Sequence, residues 1–401
     1  MLNAPPLSLY VHLPWCVRKC PYCDFNSHAA PQLLPQRSYI DALLEDLDHD
    51  LLQVDRRSIV SIFFGGGTPS LFDPEQIGRF LDGVHSRMDC AEDIEVTLEA
   101  NPGTIEHGRF AAYRDAGVTR VSLGAQSFSD AHLRLLGRIH GVDDIGRAVD
   151  ELVRAGLHNF NIDVMYALPD QSVTEAIRDV ESAIALAPTH LSHYQLTLEP
   201  GTVFYHRPPP LPDGDLSWEM QQRCHTVLAR AGYDHYEVSA FARPTFCCRH
   251  NLNYWRFGDY LGLGAGAHGK VTNALTAEIV RTSRTRQPRE YLRLGISERV
   301  QESRRISVAE LPFEFMLNTL RLLEGFSVEQ FEARTGLPFA AISATVSAAE
   351  ARGLLVSSAS SWRPTDLGQR FLNDLQSFFL PTVERSERPA YVHRPAISDA
   401  S

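Results

Sequence analysis

Between about residues 7 and 240, short apolar runs alternate with segments of helical periodicity, and few folds accept that pattern. The runs are LSLYVHL, IVSIFFGGG, DIEVTLEANP, RVSLGAQSF, FNIDVMYALP and HLSHYQLTLEP. Helical spacing covers residues 38–51, 74–87, 108–116, 143–155 and 173–186 between them. Repeated strand–helix–strand units pack as parallel βαβ structure. Six such units suit an incomplete barrel better than a closed eight-stranded one. The sequence therefore predicts an α/β fold, a partial (β/α)6 barrel over residues 1–240.

Each predicted strand ends in polar or glycine-rich residues: GGGTP after IVSIFF, then 99–101, Gln126, Asp163 and Gln195. Functional groups of parallel α/β folds gather at these C-terminal strand ends. Any one of them could instead cap the next helix, but their recurrence favours a shared site. Beyond the proline-rich RPPPLPDGD and a helix over 218–231, residues 241–305 read as a connecting segment carrying the motif HNLNYW. Residues 306–380 predict a small winged-helix-like domain. It has one amphipathic helix, two shorter ones, a two-stranded wing in LLVSSASSWRPT and a last helix in DLGQRFLNDLQSFFL. Residues 381–401 read as a flexible tail.

The formal net charge of −11 weighs against a general nucleic-acid binder. The N-terminal residues show no secretory pattern, and no run approaches the roughly 18–20 apolar residues of a membrane span. The expected location is the cytoplasm, with peripheral attachment at the inner face of the membrane allowed. Three of the seven cysteines fall within eight residues, which points to a metal centre rather than a disulfide framework.

That run is Cys16-Val-Arg-Lys-Cys20-Pro-Tyr-Cys23, directly after the first predicted strand. Thiolates suit iron–sulfur clusters and zinc. A cubane bound wholly by protein takes four cysteines. Here a tight run supplies three, leaving one iron open to an outside ligand. The competing reading is a zinc site completed by His12 or His28.

The spacing C-x3-C-x2-C after a first barrel strand resembles the radical S-adenosylmethionine superfamily. LYVHLPWC, CPYCDFNSH, FFGGGTPSL, EANPGT, SLGAQSF, LGRIH, NIDVMYALPDQ, YQLTLEPGT and HNLNYW…YLGLGAGAHG resemble its coproporphyrinogen III dehydrogenase-like family, over about residues 7 to 380. The resemblance implies a [4Fe–4S] cluster on Cys16, Cys20 and Cys23, with S-adenosylmethionine on the open iron. Gly65, Gly66 and Gly67 would let backbone amides approach the ligand, and Thr68 would add a hydroxyl. Tyr10 and Tyr22 would pack on adenine or cluster. Glu99, Gln126, Arg138 and Asp163 would reach the ligand, and Gln195 and His268 would contribute backbone contacts. Arg138 suits a carboxylate; its bland alternative is a surface ion pair.

Two branches of that family compete. One oxidatively decarboxylates coproporphyrinogen III; the other is a heme chaperone. Dehydrogenases of the family resemble C-x3-C-x2-C-G-C, whereas Asp24-Phe25 stands here, and only about six residues precede the first strand. Both features favour the chaperone. His250 would then be a heme ligand, with Cys248 a second candidate, and Tyr254 and Trp255 would offer flat faces to a porphyrin. Alternatively, His250 and Asn251 tie down a loop while Tyr254 and Trp255 pack a domain junction. The expected partners are heme and a membrane-bound hemoprotein such as a respiratory oxidase. The family also implies a homodimer in the cluster-loaded state. An RNA-modifying role is disfavoured, because residues 339–352 carry few cations for phosphate.

Overall fold

The computed structural model describes residues 2–103 and 108–381. Six parallel strands lie where the apolar runs predict them: β1 (Leu7–Leu13), β2 (Ile59–Gly66), β3 (Cys90–Ala100), β4 (Arg120–Gln126), β5 (Phe160–Tyr166) and β6 (His190–Gln195). Helices α1 (Gln36–Leu51), α2 (Pro74–His85), α3 (Phe110–Asp115), α4 (Asp130–Leu135), α5 (Val142–Arg154) and α6 (Val173–Ala185) connect them. Parallel strands covered on both faces are buried, most completely at the centre of the sheet, where every residue of β4 is buried.

The stretch 241–305 does more than connect. After α7 (Val203–His206) and α8 (Gly214–Arg230) come two short strands, β7 (Asp234–Glu237) and β8 (Ala240–Ala242), which extend the sheet antiparallel beyond β6. The chain then forms α9 (Arg249–Trp255) and crosses to the other edge. There β9 (Asp259–Leu263) pairs parallel to β1, Leu7 opposite Asp259 through Val11 opposite Leu263. The parallel core thus has seven strands. Three antiparallel strands follow outward from β9: β10 (His268–Asn273), β11 (Glu278–Arg284) and β12 (Val300–Arg305).

Buried charges fasten this added edge. Asp259, at the start of β9, receives Lys270 Nζ at 2.7 Å, Arg57 Nη2 at 2.9 Å and the Thr272 amide at 2.8 Å. Asp46 on α1 meets Tyr291 Oη at 2.5 Å and the guanidinium groups of Arg284 and Arg299 at 3.2 and 3.4 Å. Fully buried carboxylates persist only with such partners.

Helix α9, which carries HNLNYW, plugs the end of the barrel where the strands begin. Glu95 accepts the amides of Arg249 (3.0 Å) and His250 (3.3 Å) at its N-terminus. Asn253 Nδ2 donates to Ser8 Oγ and to the Asp259 carbonyl, both at 2.9 Å. The C-terminal unit has its own apolar core around Phe315, Phe326, Phe331 and Val346. Its wing is the antiparallel pair Leu355–Ser358 and Ser361–Pro364, joined by Phe326–Ser327. The single final helix that was expected is two, Asp366–Arg370 and Leu372–Ser377, broken where Phe371 leaves helical backbone angles. The proposed tail beyond residue 381 lies outside the described residues. No helix among those described is long and apolar enough to cross a membrane.

Candidate cofactor site at the strand ends

The chain leaving β1 wraps Cys16, Cys20 and Cys23 over the C-terminal ends of the strands. Its shape is fixed by the Cys23 amide on the Cys20 carbonyl (3.2 Å), Ala30 on Cys16 (2.8 Å) and Lys19 Nζ on Phe25 (3.1 Å) and Ser27 (3.3 Å). The three cysteines open on one cavity of about 320 Å³. Tyr22, Gly66, Gly67, Thr68, Glu99, Gln126, Arg138, Asp163 and Gln195 line the same cavity. Twelve of the residues selected from the sequence are thereby brought together.

Burial pushes the Cys16 and Cys23 thiols up, so a cationic centre is needed to hold them as thiolates. Among the described residues, no three His, Cys, Asp or Glu side chains are close enough to surround a single metal ion. Three cysteines opening on one cavity supply three of the four thiolates that a cubane takes. Neither histidine of the zinc alternative is placed to complete such a site. His12 is bonded to Tyr10 Oη (2.9 Å) and the Asn26 carbonyl (3.0 Å), and His28 to Asn26 Oδ1 (3.2 Å).

Arg138 reaches in from the turn after α4. It donates to Cys20 Sγ at 3.6 Å, to the Gly124 carbonyl at 2.8 Å and to Asn101 Oδ1. It forms no ion pair among the described residues, so the surface-pair alternative does not hold. Two carboxyl groups share the cavity without pairing to it. Burial and the nearby Asp163 push Glu99 up to about 8, against the opposing effect of the Gly66 N–H it accepts at 3.2 Å. Burial likewise raises Asp163, which accepts from Asn161 at 2.7 Å. Gln126 sits at φ 73°, in the left-handed region, and its Oε1 accepts from Tyr194 Oη at 2.6 Å. Backbone strain of this kind collects at functional sites.

The glycine loop works differently from expectation. The amides of Gly67 and Thr68 donate to the carbonyls of Leu13 (2.9 Å) and Trp15 (2.8 Å), and Gly66 donates to Glu99. Those amides brace the cysteine loop and are not open to a ligand. Glycine is needed for close packing: a Cβ at Gly66 (φ +109°) would come within 2.4 Å of the His12 ring, and one at Gly67 within 2.5 Å of the Trp15 carbonyl. Arg138 brings a guanidinium, a group that suits a carboxylate, to the same cavity.

The remaining candidates separate. Tyr10, Tyr254 and His268 line a neighbouring cavity of about 450 Å³, which shares Phe25, Gly66 and Glu99 with the first. His250 lines neither. It is 5% exposed, its Nδ1 is 3.1 Å from Ser61 Oγ, and it packs on Phe63 at 5.1 Å. Burial and the charge of Arg120 lower its pKa to about 3. It is a fixture of the plug, not an open heme ligand. Cys248 is equally enclosed, its thiol 3.5 Å from Glu95 and raised to about 12, chiefly by burial. Trp255 lies beneath Arg321 of the C-terminal unit at 4.3 Å, so it packs the domain junction. Sequence reasoning missed Asn26, whose amide ties the cysteine loop to the carbonyls of Ala265 (3.0 Å) and Arg286 (2.9 Å). Its place in CDFNSH was the available signal.

Residues 10–183 match the radical SAM superfamily model, and residues 306–371 match the HemN C-terminal domain. The heme chaperone HemW of Escherichia coli (strain K12) is 49% identical over 95% of this chain and 100% of its own length. The chain belongs to the HemW family of radical SAM proteins. Its HemW relative from Haemophilus influenzae is 48% identical over 95% of this chain and 99% of that protein. A mitochondrial radical S-adenosyl methionine domain-containing protein 1 from Mus musculus is 35% identical over 97% and 90%. The solved coproporphyrinogen III oxidase (HemN) from Escherichia coli shares the fold, with a TM-score of 0.79 at 21% identity over 94% of this chain and 91% of that one. Membership in the superfamily implies a [4Fe–4S] cluster and S-adenosylmethionine, and the HemW name implies heme.

Proposed function

We propose that this protein is a heme chaperone that carries a [4Fe–4S] cluster and S-adenosylmethionine and passes heme to a membrane-bound hemoprotein such as a respiratory oxidase. The observation that carries the proposal is the near full-length similarity to proteins named heme chaperone HemW. Cys16, Cys20 and Cys23 would hold the cluster. When bound, the cluster supplies an open iron for the amino and carboxylate groups of S-adenosylmethionine and an electron for its reduction. Arg138 would offset the negative charge of the thiolates and the methionyl carboxylate. Glu99, pushed up to about 8 by burial and Asp163, and Asp163, itself raised by burial, would donate or accept hydrogen bonds toward the ribose or the ammonium group. Thr68, oriented by Asn101 Nδ2 at 2.9 Å, would add its hydroxyl. Tyr22 would flank the cluster, and Gln126 and Gln195 would border the adenosyl end. Cluster loading would favour a homodimer, and the protein would work at the cytoplasmic face of the membrane.

Heme titration of the cluster-loaded protein should give a saturable shift of the Soret band. Coproporphyrinogen III incubated with the reduced, S-adenosylmethionine-loaded protein under anaerobic conditions should be recovered unchanged. Its conversion to protoporphyrinogen would overturn the chaperone assignment.

A further inference from the structure

The second cavity has a composition that the cluster and S-adenosylmethionine do not explain. Tyr254 and Tyr260 form one wall, stacked at 4.4 Å with their hydroxyls 2.8 Å apart. Tyr10 lies nearby, its ring held from behind by His250 at 6.3 Å and Phe63 at 6.4 Å. A flat, rigid aromatic surface of this kind suits a planar ligand.

Two imidazoles face the cavity, and they are not equivalent. His12 is bonded through both ring nitrogens. His268, the first residue of β10, has an exposed side chain whose ring makes no hydrogen bond among the described residues. Partial burial and the charges of Arg281 and Arg286 lower its pKa, so the ring is neutral at physiological pH, with a lone pair to give. The two arginines differ in the same way. Arg281 is engaged by Tyr260 Oη at 2.7 Å and by Glu314 at 2.5 Å. Arg286 lines the cavity, is exposed, and forms no ion pair among the described residues. A free guanidinium beside an aromatic wall is a carboxylate site.

We propose that this cavity is where heme sits, with His268 as an axial ligand to the iron, Tyr254 and Tyr10 against the porphyrin face and Arg286 on a propionate. The proposal rests on the heme-chaperone reading and relocates the iron ligand from His250 to His268. It also accounts for HNLNYW: His250 supports Tyr10 from below, and Tyr254 presents the wall. Because Phe25, Gly66 and Glu99 border both cavities, heme would lie directly beside the S-adenosylmethionine site.

The test is hemin titration of the cluster-loaded protein, read by Soret absorbance and by electron paramagnetic resonance of the ferric iron. Wild type should bind saturably with an imidazole-ligated signature. His268→Ala should bind at least tenfold more weakly and lose that signature, and millimolar imidazole should restore it. Arg286→Glu should weaken binding several-fold at an unchanged Soret position. His268 is exposed, so its replacement leaves the core intact, which far-ultraviolet circular dichroism would verify. If wild type fails to bind hemin, the chaperone reading itself falls. If wild type binds and His268→Ala gives the same affinity and spectrum, the chaperone reading stands and this site is wrong.

Discussion

The floor and the mouth of the barrel are both polar, but they handle polarity in opposite ways. At the floor, three polar side chains around the plug have partners inside the protein: His250 with Ser61, Asn253 with Ser8 and Asp259, and Glu95 with the first amides of α9. Asp259 there is held by Lys270 and Arg57. At the mouth, Arg138, Glu99 and Asp163 share a cavity yet form no ion pairs among the described residues, and Gln126 is held in a strained backbone conformation. Buried polar groups matched within the protein fix a fold, whereas charged groups that face a cavity without an ion-pair partner leave capacity for a ligand. The histidine of the motif most suggestive of heme binding in the sequence therefore belongs to the scaffold, while Tyr254 of the same motif faces the open space.

The contrast can be broken first at Lys270. Lys270→Met leaves Asp259 buried with one cation fewer. It should cost about 3 kcal/mol or more in urea denaturation, with the iron content of the folded fraction unchanged. A variant as stable as wild type would remove the floor from the account of stability. Asn253→Ala removes two buried hydrogen bonds and should cost about 1–3 kcal/mol, again without loss of cluster. At the mouth the sign should reverse. Arg138→Met should leave the cofactor-free protein as stable as wild type or about 1 kcal/mol more stable. Its affinity for S-adenosylmethionine should fall by about tenfold or more. Large destabilisation with intact binding would make Arg138 part of the scaffold.

The smallest effect concerns pH. Glu99 ionises near 8 in the folded protein against an ordinary 4.5. Between those values the folded chain holds a proton that the unfolded chain has released, so stability falls as pH rises across that window. Glu99→Gln removes this loss. The difference in thermal midpoint, variant minus wild type, should grow from about pH 5 to about pH 8 in the cofactor-free protein. Parallel pH profiles would show that Glu99 is not held protonated.

The six core strands were legible because each is a continuous apolar run ending in polar or glycine-rich residues, and their helices carry regular spacing. The seventh, Asp259–Leu263, was not. It lies in a glycine-rich stretch, and its parallel partner β1 lies some 250 residues earlier in the chain, beyond the reach of local pattern. Strands β11 and β12 hid for another reason: at the outer part of the sheet they are only partly buried, so polar residues outnumber apolar ones. At the site, the cysteines and strand-end residues were readable from spacing and resemblance together. The fates of His250 and the glycine-loop amides were not, because each depends on which neighbour takes the hydrogen bond: Ser61 for the imidazole, Leu13 and Trp15 for the amides. Residue type alone does not carry that information.

The claim that the mouth of this barrel holds an iron–sulfur cluster is tested most directly by anaerobic reconstitution followed by metal analysis. Wild type should take up about four irons per chain, with the broad charge-transfer absorption of a [4Fe–4S] cluster, and Cys20→Ala should lose both. One zinc per chain with no iron, or full iron loading in Cys20→Ala, would contradict it.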